Sequence, residues 1–243
     1  MVKSTLVLLS MLLCIAAMAR AQDDAGVRAW RPVPLARHRE DDPRLLTSAE
    51  RCTTLLRATR ARDLVHPQRA QVGAPDGPME GVAFPVRLTS TLFSVVVGAH
   101  GGHRRPRPIA GDCRLFLAIA HWSRSLHEAG ITRIGHLSLH RPGRCGEPPS
   151  GHCAGLAIDV AHFVFEDGTD FDVGHDWVDR THGASPCGDR PAESGPMTTV
   201  RRLVCASSDG AMFNVVLTPH YDDDHQNHVH LEVRPDMTGL VLH

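Results

Sequence analysis

The stretch GDCRLFLAIAHWSRSLHEAG, residues 111–130, with ITRIGHLSLH, residues 131–140, directly behind it, decides the fold class. In the first piece Leu115, Ile119, Trp122 and Leu126 fall on one helical face, because residues three and four apart are neighbours on a helix surface. Asp112 is placed to cap that helix and Gly130 to stop it. The second piece reads as a short strand. A buried helix standing ahead of short strands and long loops predicts an α+β domain.

Working outward, strand-like pieces recur at 156–165 (LAIDVAHFVF), 167–171 (DGTDF), 214–218 (NVVLT) and 228–234 (HVHLEVR), with turns between them. Upstream, VAFPVRLTSTLFSVVVG at 82–98 suggests one or two strands with Pro85 at an edge or a break. The Pro- and Gly-rich stretch from Gly73 to Gly81 is a loop, and a helix is expected from Ser48 through SAERCTTLLRATRARDLV. Residues 22–47 are charged and proline-bearing without apolar periodicity, which predicts a flexible lead-in. The expected domain therefore spans 48–236, with a short tail over 237–243. No internal repeat is visible.

The first 21 residues, MVKSTLVLLSMLLCIAAMARA, have the basic start, apolar run and small residues before Gln22 of a secretory signal peptide. The apolar run is short of the roughly 20 residues that a membrane span needs. The expectation is an exported protein, periplasmic or extracellular, without a membrane span in the mature chain. Six of the seven cysteines lie beyond that segment, and an even number in an oxidising compartment implies three disulfides. No C-x2-C pair favours metal binding by cysteine instead. Lys3 is the single lysine, so Schiff-base and P-loop chemistry through lysine are excluded from the mature chain. Removing Lys3 and Arg20 moves the formal charge from -1 to -3, which is not the footprint of a nucleic-acid binder. The run HRRPRP at 103–108 reads as a solvated loop.

Seventeen histidines are many, and several cluster late in the chain. Within SGHCAGLAIDVAHF, residues 150–163, Asp159 alternates with Ile158 and Val160, so it faces away from two core residues. A carboxylate in an apolar strand needs a partner, because burying it unpaired is costly. In LTPHYDDDHQNHVHLEVR, residues 217–234, His228 and His230 share one face of a strand, about 6.6 Å apart along it. His225 stands at the entry to the same strand. Two imidazoles, one carboxylate and an open fourth position form the donor set of a catalytic zinc site. Each piece alone has an ordinary explanation as a surface pair, a loop histidine or a capping acid. The order H-x6-D followed by H-x2-H-x-H beside strand patterns makes the metal reading the stronger one.

On these residues the chain resembles the extensin-like C-terminal domain family, related to the peptidoglycan zinc metallopeptidases. The matching motifs are Ser150-x-His152-x-x-Gly155-x-Ala157-Ile158-Asp159, Pro219-x-Tyr221 and His225-x-x-His228-x-His230-Leu231-Glu232. The resemblance implies a helix-flanked antiparallel sheet of the D-Ala-D-Ala metallopeptidase type, stapled by disulfides. It implies Zn2+ held by His152, Asp159 and His230, with His228 and His225 as catalytic residues whose roles it leaves open. It also suggests the pairs Cys52–Cys113, Cys145–Cys153 and Cys187–Cys205. Gly151, Leu156 and Glu232 depart from the family pattern, where an acidic residue, asparagine and aspartate are usual, and these departures are expected to bear on substrate contacts.

The expected function is an exported zinc hydrolase, a peptidase or amidase cutting amide bonds in peptidoglycan peptides and acting as a monomer. The alternative is a non-catalytic module that binds peptidoglycan or another cell-wall polymer through the same fold. A purely structural, disulfide-stapled surface protein is a third reading. Tyr221, the single tyrosine, reads as a packing residue, and His162, His175, His182 and His220 as loop or edge histidines. Cys153 reads as a disulfide partner rather than a thiol nucleophile.

Overall fold

Asp112 is the joint on which the architecture turns. It ends strand β5 (Ile109–Asp112) and caps the helix that follows, its carboxylate accepting from the Arg114 backbone N–H at 2.9 Å. It also accepts from the Arg114 guanidinium and from the Phe84 N–H at 3.0 Å, while that guanidinium lies 4.3 Å above the Phe84 ring. A fully buried carboxylate is tolerated here because its oxygens are satisfied by charge-assisted and backbone donors.

The computed structural model describes residues 41–60, 72–89, 91–101, 107–143, 145, 150–187, 195–209, 212–235, 237 and 239–243. These belong to one unit, Pro34–His243. The expected signal peptide, most of the lead-in, the distal part of the first helix and residues 103–106 of the basic run lie outside the described residues.

Helix α1 (Ala49–Arg60) begins one residue after Ser48, as its sequence predicts, and turns Cys52 and Leu56 inward. A three-stranded antiparallel sheet follows, in the order β1 (Val72–Gly73), β2 (Pro85–Leu88), β5. Pro85 opens β2, a position where its missing N–H is tolerated. The larger, eight-stranded sheet begins with β3 (Thr91–Leu92) and β4 (Val95–Ala99). It continues with β6 (Ile131–Ser138), β7 (Ala157–Phe165) and β8 (Asp170–Asp172). After the one-turn helix α3 (Val173–Asp176) and the longer α4 (Pro196–Asp209) come β9 (Val215–Leu217), β10 (Val229–Glu232) and β11 (Val241–Leu242). The path through that sheet is β11-β9-β10-β7-β6-β4-β3, with β8 also pairing β7.

The expected antiparallel sheet is in fact mixed. β4 and β6 run parallel because β5 and the central helix α2 (Cys113–Glu128) lie between them in sequence, and parallel neighbours require such a crossover. β11 and β9 are parallel as well, so residues 241–242, assigned to the tail from sequence, extend the sheet instead. The lead-in likewise stops short of residue 47: Asp42, Pro43 and Leu46 are buried.

Helix α2 is buried nearly all round, from Cys113 to Ala120 without a break. Trp122 shows how it joins the layers. Its ring meets Phe163 of β7 and Phe213 edge-on at 6.0 Å, and its indole N–H donates to the Leu203 carbonyl of α4 at 3.0 Å. Burying both the apolar body and the polar tip makes it worth about 3–5 kcal/mol against truncation to alanine. All three suggested disulfides are present: Cys52–Cys113 ties α1 to α2, Cys145–Cys153 closes the loop before β7, and Cys187–Cys205 ties residue 187 to α4.

Candidate metal centre

β10 lies antiparallel beside β7 with His230 directly opposite Asp159. Directly opposed residues on neighbouring strands carry their side chains to the same face, so the register alone brings these two together. His152 arrives from the turn at 151–155. That turn is held by backbone bonds from Gly155 N–H to the His152 carbonyl and from Arg141 N–H to the same carbonyl, each 3.1 Å, and by the adjoining Cys153 disulfide.

The three side chains are buried and their donor atoms converge. His152 Nε2 lies 3.0 Å from Asp159 Oδ1, His230 Nδ1 2.9 Å from the same oxygen, and the two nitrogens are 3.2 Å apart. Donors about 2.0–2.1 Å from one tetrahedral ion stand roughly 3.3 Å from each other. The trio therefore fits a metal ion, and among the described residues it is the one group of three or more such side chains close enough to hold one.

The outer faces of the two imidazoles support the same reading. His152 Nδ1 donates to the Leu139 carbonyl at 2.6 Å, and His230 Nε2 donates to Glu232 Oε2 at 3.0 Å. A carbonyl and a carboxylate only accept, so each outer nitrogen carries hydrogen, and each inner one can offer a lone pair to the common centre once the hydrogen it shares with Asp159 is given up. A model of the family described as extensin-like protein C-terminus matches residues 81–240, which include every residue of this site. The chain belongs to that family. No curated protein and no solved structure matches it significantly.

In this extensin-like domain the two further histidines also reach the centre. His228, just ahead of β10, places Nε2 3.4 Å from Asp159 Oδ1 and donates Nδ1–H to Asn227 Oδ1 at 2.9 Å. His225 ends a short 3-10 turn at Asp223–His225, its ring 5.0 Å from that of His228 and 6.0 Å from that of His230. The Asp222 carboxylate accepts from its Nδ1 at 2.5 Å. Tyr221 is 42 % exposed with its ring 5.2 Å from that of His225, so it edges the site and does not serve the core. His162, His175 and His182 pair with nearby aspartates, but His162 does so from within β7, between β6 and β8, and is neither a loop nor an edge residue; His220 lies in the turn after β9, fully buried, its Nδ1 3.2 Å from the Thr181 carbonyl.

The electrostatics are those of a site built around one carboxylate. Burial disfavours an ionised Asp159, but hydrogen bonds with His152 and His230 and the fields of His152 and His228 outweigh it, holding the carboxyl well below its usual range. Burial also disfavours a charged His230, yet its bonds to Asp159 and Glu232 raise its pKa to about 9. His228 moves the other way: burial lowers it to about 4, only partly opposed by Asp159, so it is neutral at pH 7.

A cleft of about 720 Å³ opens beside Asp159 and His228 and runs along β6 past His136, Ser138 and Arg141. Arg141 brings a nitrogen to 3.8 Å from Asp159 Oδ2 at the exposed rim. His136 is the residue that sequence reasoning missed: both ring nitrogens are shielded from solvent and have no partner among the described residues. Its signal was the polar alternation His136, Ser138, His140 within ITRIGHLSLH. Of the family departures, Glu232 accepts from His230 Nε2, Gly151 stands against the Glu232 carboxylate, and neither is in the lining of the cleft.

Proposed function

We propose that this protein is an exported zinc-dependent hydrolase that cleaves amide bonds in peptidoglycan peptides. The observation that carries the reading is the convergence of three buried donors, with both imidazoles oriented from behind, at Asp159, which with His228 lines an open cleft. Two histidines and one carboxylate leave a coordination position free, as catalytic zinc sites do. An ion bound there supplies Lewis-acid polarisation of a carbonyl and makes a neighbouring water more acidic.

The chain's own groups supply the rest. His228, neutral and with Nδ1–H engaged by Asn227, keeps its Nε2 lone pair toward the site and takes a proton as water adds to the scissile carbonyl carbon. As the C–N bond breaks, that proton passes to the leaving nitrogen. With hydrogen on both ring nitrogens, His225 donates one to Asp222 and the other to the oxygen on which negative charge develops. Three disulfides suit an oxidising compartment, and no described helix is long and apolar enough to cross a membrane.

Metal analysis of the purified protein is expected to give one zinc per chain, lost in His152→Ala, Asp159→Ala and His230→Ala. Digestion of purified sacculi, read as muropeptides by mass spectrometry, is expected to yield new products that vanish on chelation. Stoichiometric zinc without any products would favour a cell-wall-binding module; no zinc would remove the reading altogether.

A further inference from the structure

The back of His230 shows a second arrangement. Glu232 is 5 % exposed, two residues beyond His230 on β10, and residues two apart on a strand share a face. Its Oε2 accepts from His230 Nε2 at 3.0 Å, and its Oε1 accepts from Arg234 Nε at 2.6 Å, so the carboxylate is pinned at both oxygens. On its far side lies Gly151, the residue immediately before His152. A Cβ added at Gly151 would overlap the Glu232 carboxylate carbon, well inside the 3.0 Å that real Cβ atoms keep. One buried carboxylate thus touches the back of one metal donor and fills the space beside the backbone that presents another.

We propose that Glu232 and Gly151 form a matched pair that presets the metal site, with Glu232 as the positioning residue for His230 and Gly151 as the gap that admits it. The inference rests on the reading of His152, Asp159 and His230 as metal donors. Glu232 fixes the ring plane and keeps hydrogen on Nε2, so that Nδ1 meets Asp159 without a rotation that would cost affinity. Glycine at 151 is required by volume: any side chain there would drive the carboxylate off His230 or push the His152 turn outward. The two positions are separated by 80 residues of sequence, and the shared carboxylate couples them.

The test is a double-mutant cycle on the full mature protein. Zinc affinity is measured by competition with a chromophoric chelator, and thermal stability is measured on the metal-free protein. Glu232→Ala and Gly151→Ala are each expected to weaken zinc 10- to 100-fold, and the double variant is expected to be no weaker than the worse single one. Glu232→Gln, whose amide oxygen still accepts from Nε2, should recover part of the loss. In metal-free protein Gly151→Ala should lower the midpoint when Glu232 is present and much less beside Glu232→Ala. Wild-type binding unaffected by Glu232→Ala, or losses that simply add, would overturn the pairing alone. A wild-type protein that binds no zinc would overturn the pairing together with the donor reading beneath it.

Discussion

On the proposed reading, single residues divide into those that hold the centre and those that act on what enters it. His228 belongs to the second kind, since its Nε2 reaches the site while Asp159 is already bracketed by His152 and His230. His228→Ala is therefore expected to leave zinc content unchanged and to lower hydrolysis of sacculi by roughly 10²–10⁴-fold, the range of a lost general base. Loss of zinc from that variant would place His228 among the donors instead. His136 gives the opposite kind of test. Burial pushes its pKa down to about 4 against the pull of Asp159, and its neutral ring has no partner for either nitrogen among the described residues. An unsatisfied buried polar group costs about 1–3 kcal/mol, so His136→Leu should raise the thermal midpoint, by about 2–4 °C for each kcal/mol relieved in a chain of this size. A lowered midpoint would mean that the imidazole is satisfied in solution and is part of the scaffold.

The elements deliver these residues with unequal precision, and the loop is the weakest of them. Asp159 and His230 are locked by strand register, but His152 depends on a turn held by a few backbone bonds and the Cys145–Cys153 bridge. Closing so short a loop stabilises the fold by about 2–3 kcal/mol in the chain-entropy model. Replacing both cysteines with serine should cost about that much, yet weaken zinc binding by a further tenfold or more as the turn loosens. Equal losses in both readouts would show that the turn is held without the bridge. The same contrast explains what the sequence makes legible. The shared face of Asp159 and His230 was readable because alternation fixes which way strand residues point, and α2 was readable from its spacing and from Asp112. α4 was not: it begins at Pro196 without an acidic first turn or a basic last turn, so Met197, Val200 and Val204 lacked boundaries. The parallel pairing of β4 with β6 is a property of chain path, which no local pattern records. The roles of Glu232 and Gly151 depend on two distant segments meeting, which residue types alone do not announce.

At the scale of the whole molecule the buried titrating groups fix how stability must depend on pH. His136 and His228 have folded pKa values of about 4, below the 6.5 of the unfolded chain. As pH falls from 6.5 to 4 the unfolded state takes up protons that the folded state refuses, and stability falls with it. His230 has the reverse sign: with its pKa raised to about 9, its contribution is complete below pH 6.5 and is lost as pH rises through 9. Metal-free protein should therefore be most stable near pH 6.5 and lose on the order of a few kcal/mol toward each side. If His230 is a zinc donor, as proposed, zinc competes with its proton, so zinc affinity should rise with pH across the alkaline arm, and saturating zinc should flatten that arm while leaving the acidic one in place. Thermal midpoints from pH 4 to 9, with chelator and with zinc, measure both arms. A metal-free profile that stays level from pH 6.5 to 9 would contradict the coupling of His230 to Asp159 and Glu232 on which the preset site depends.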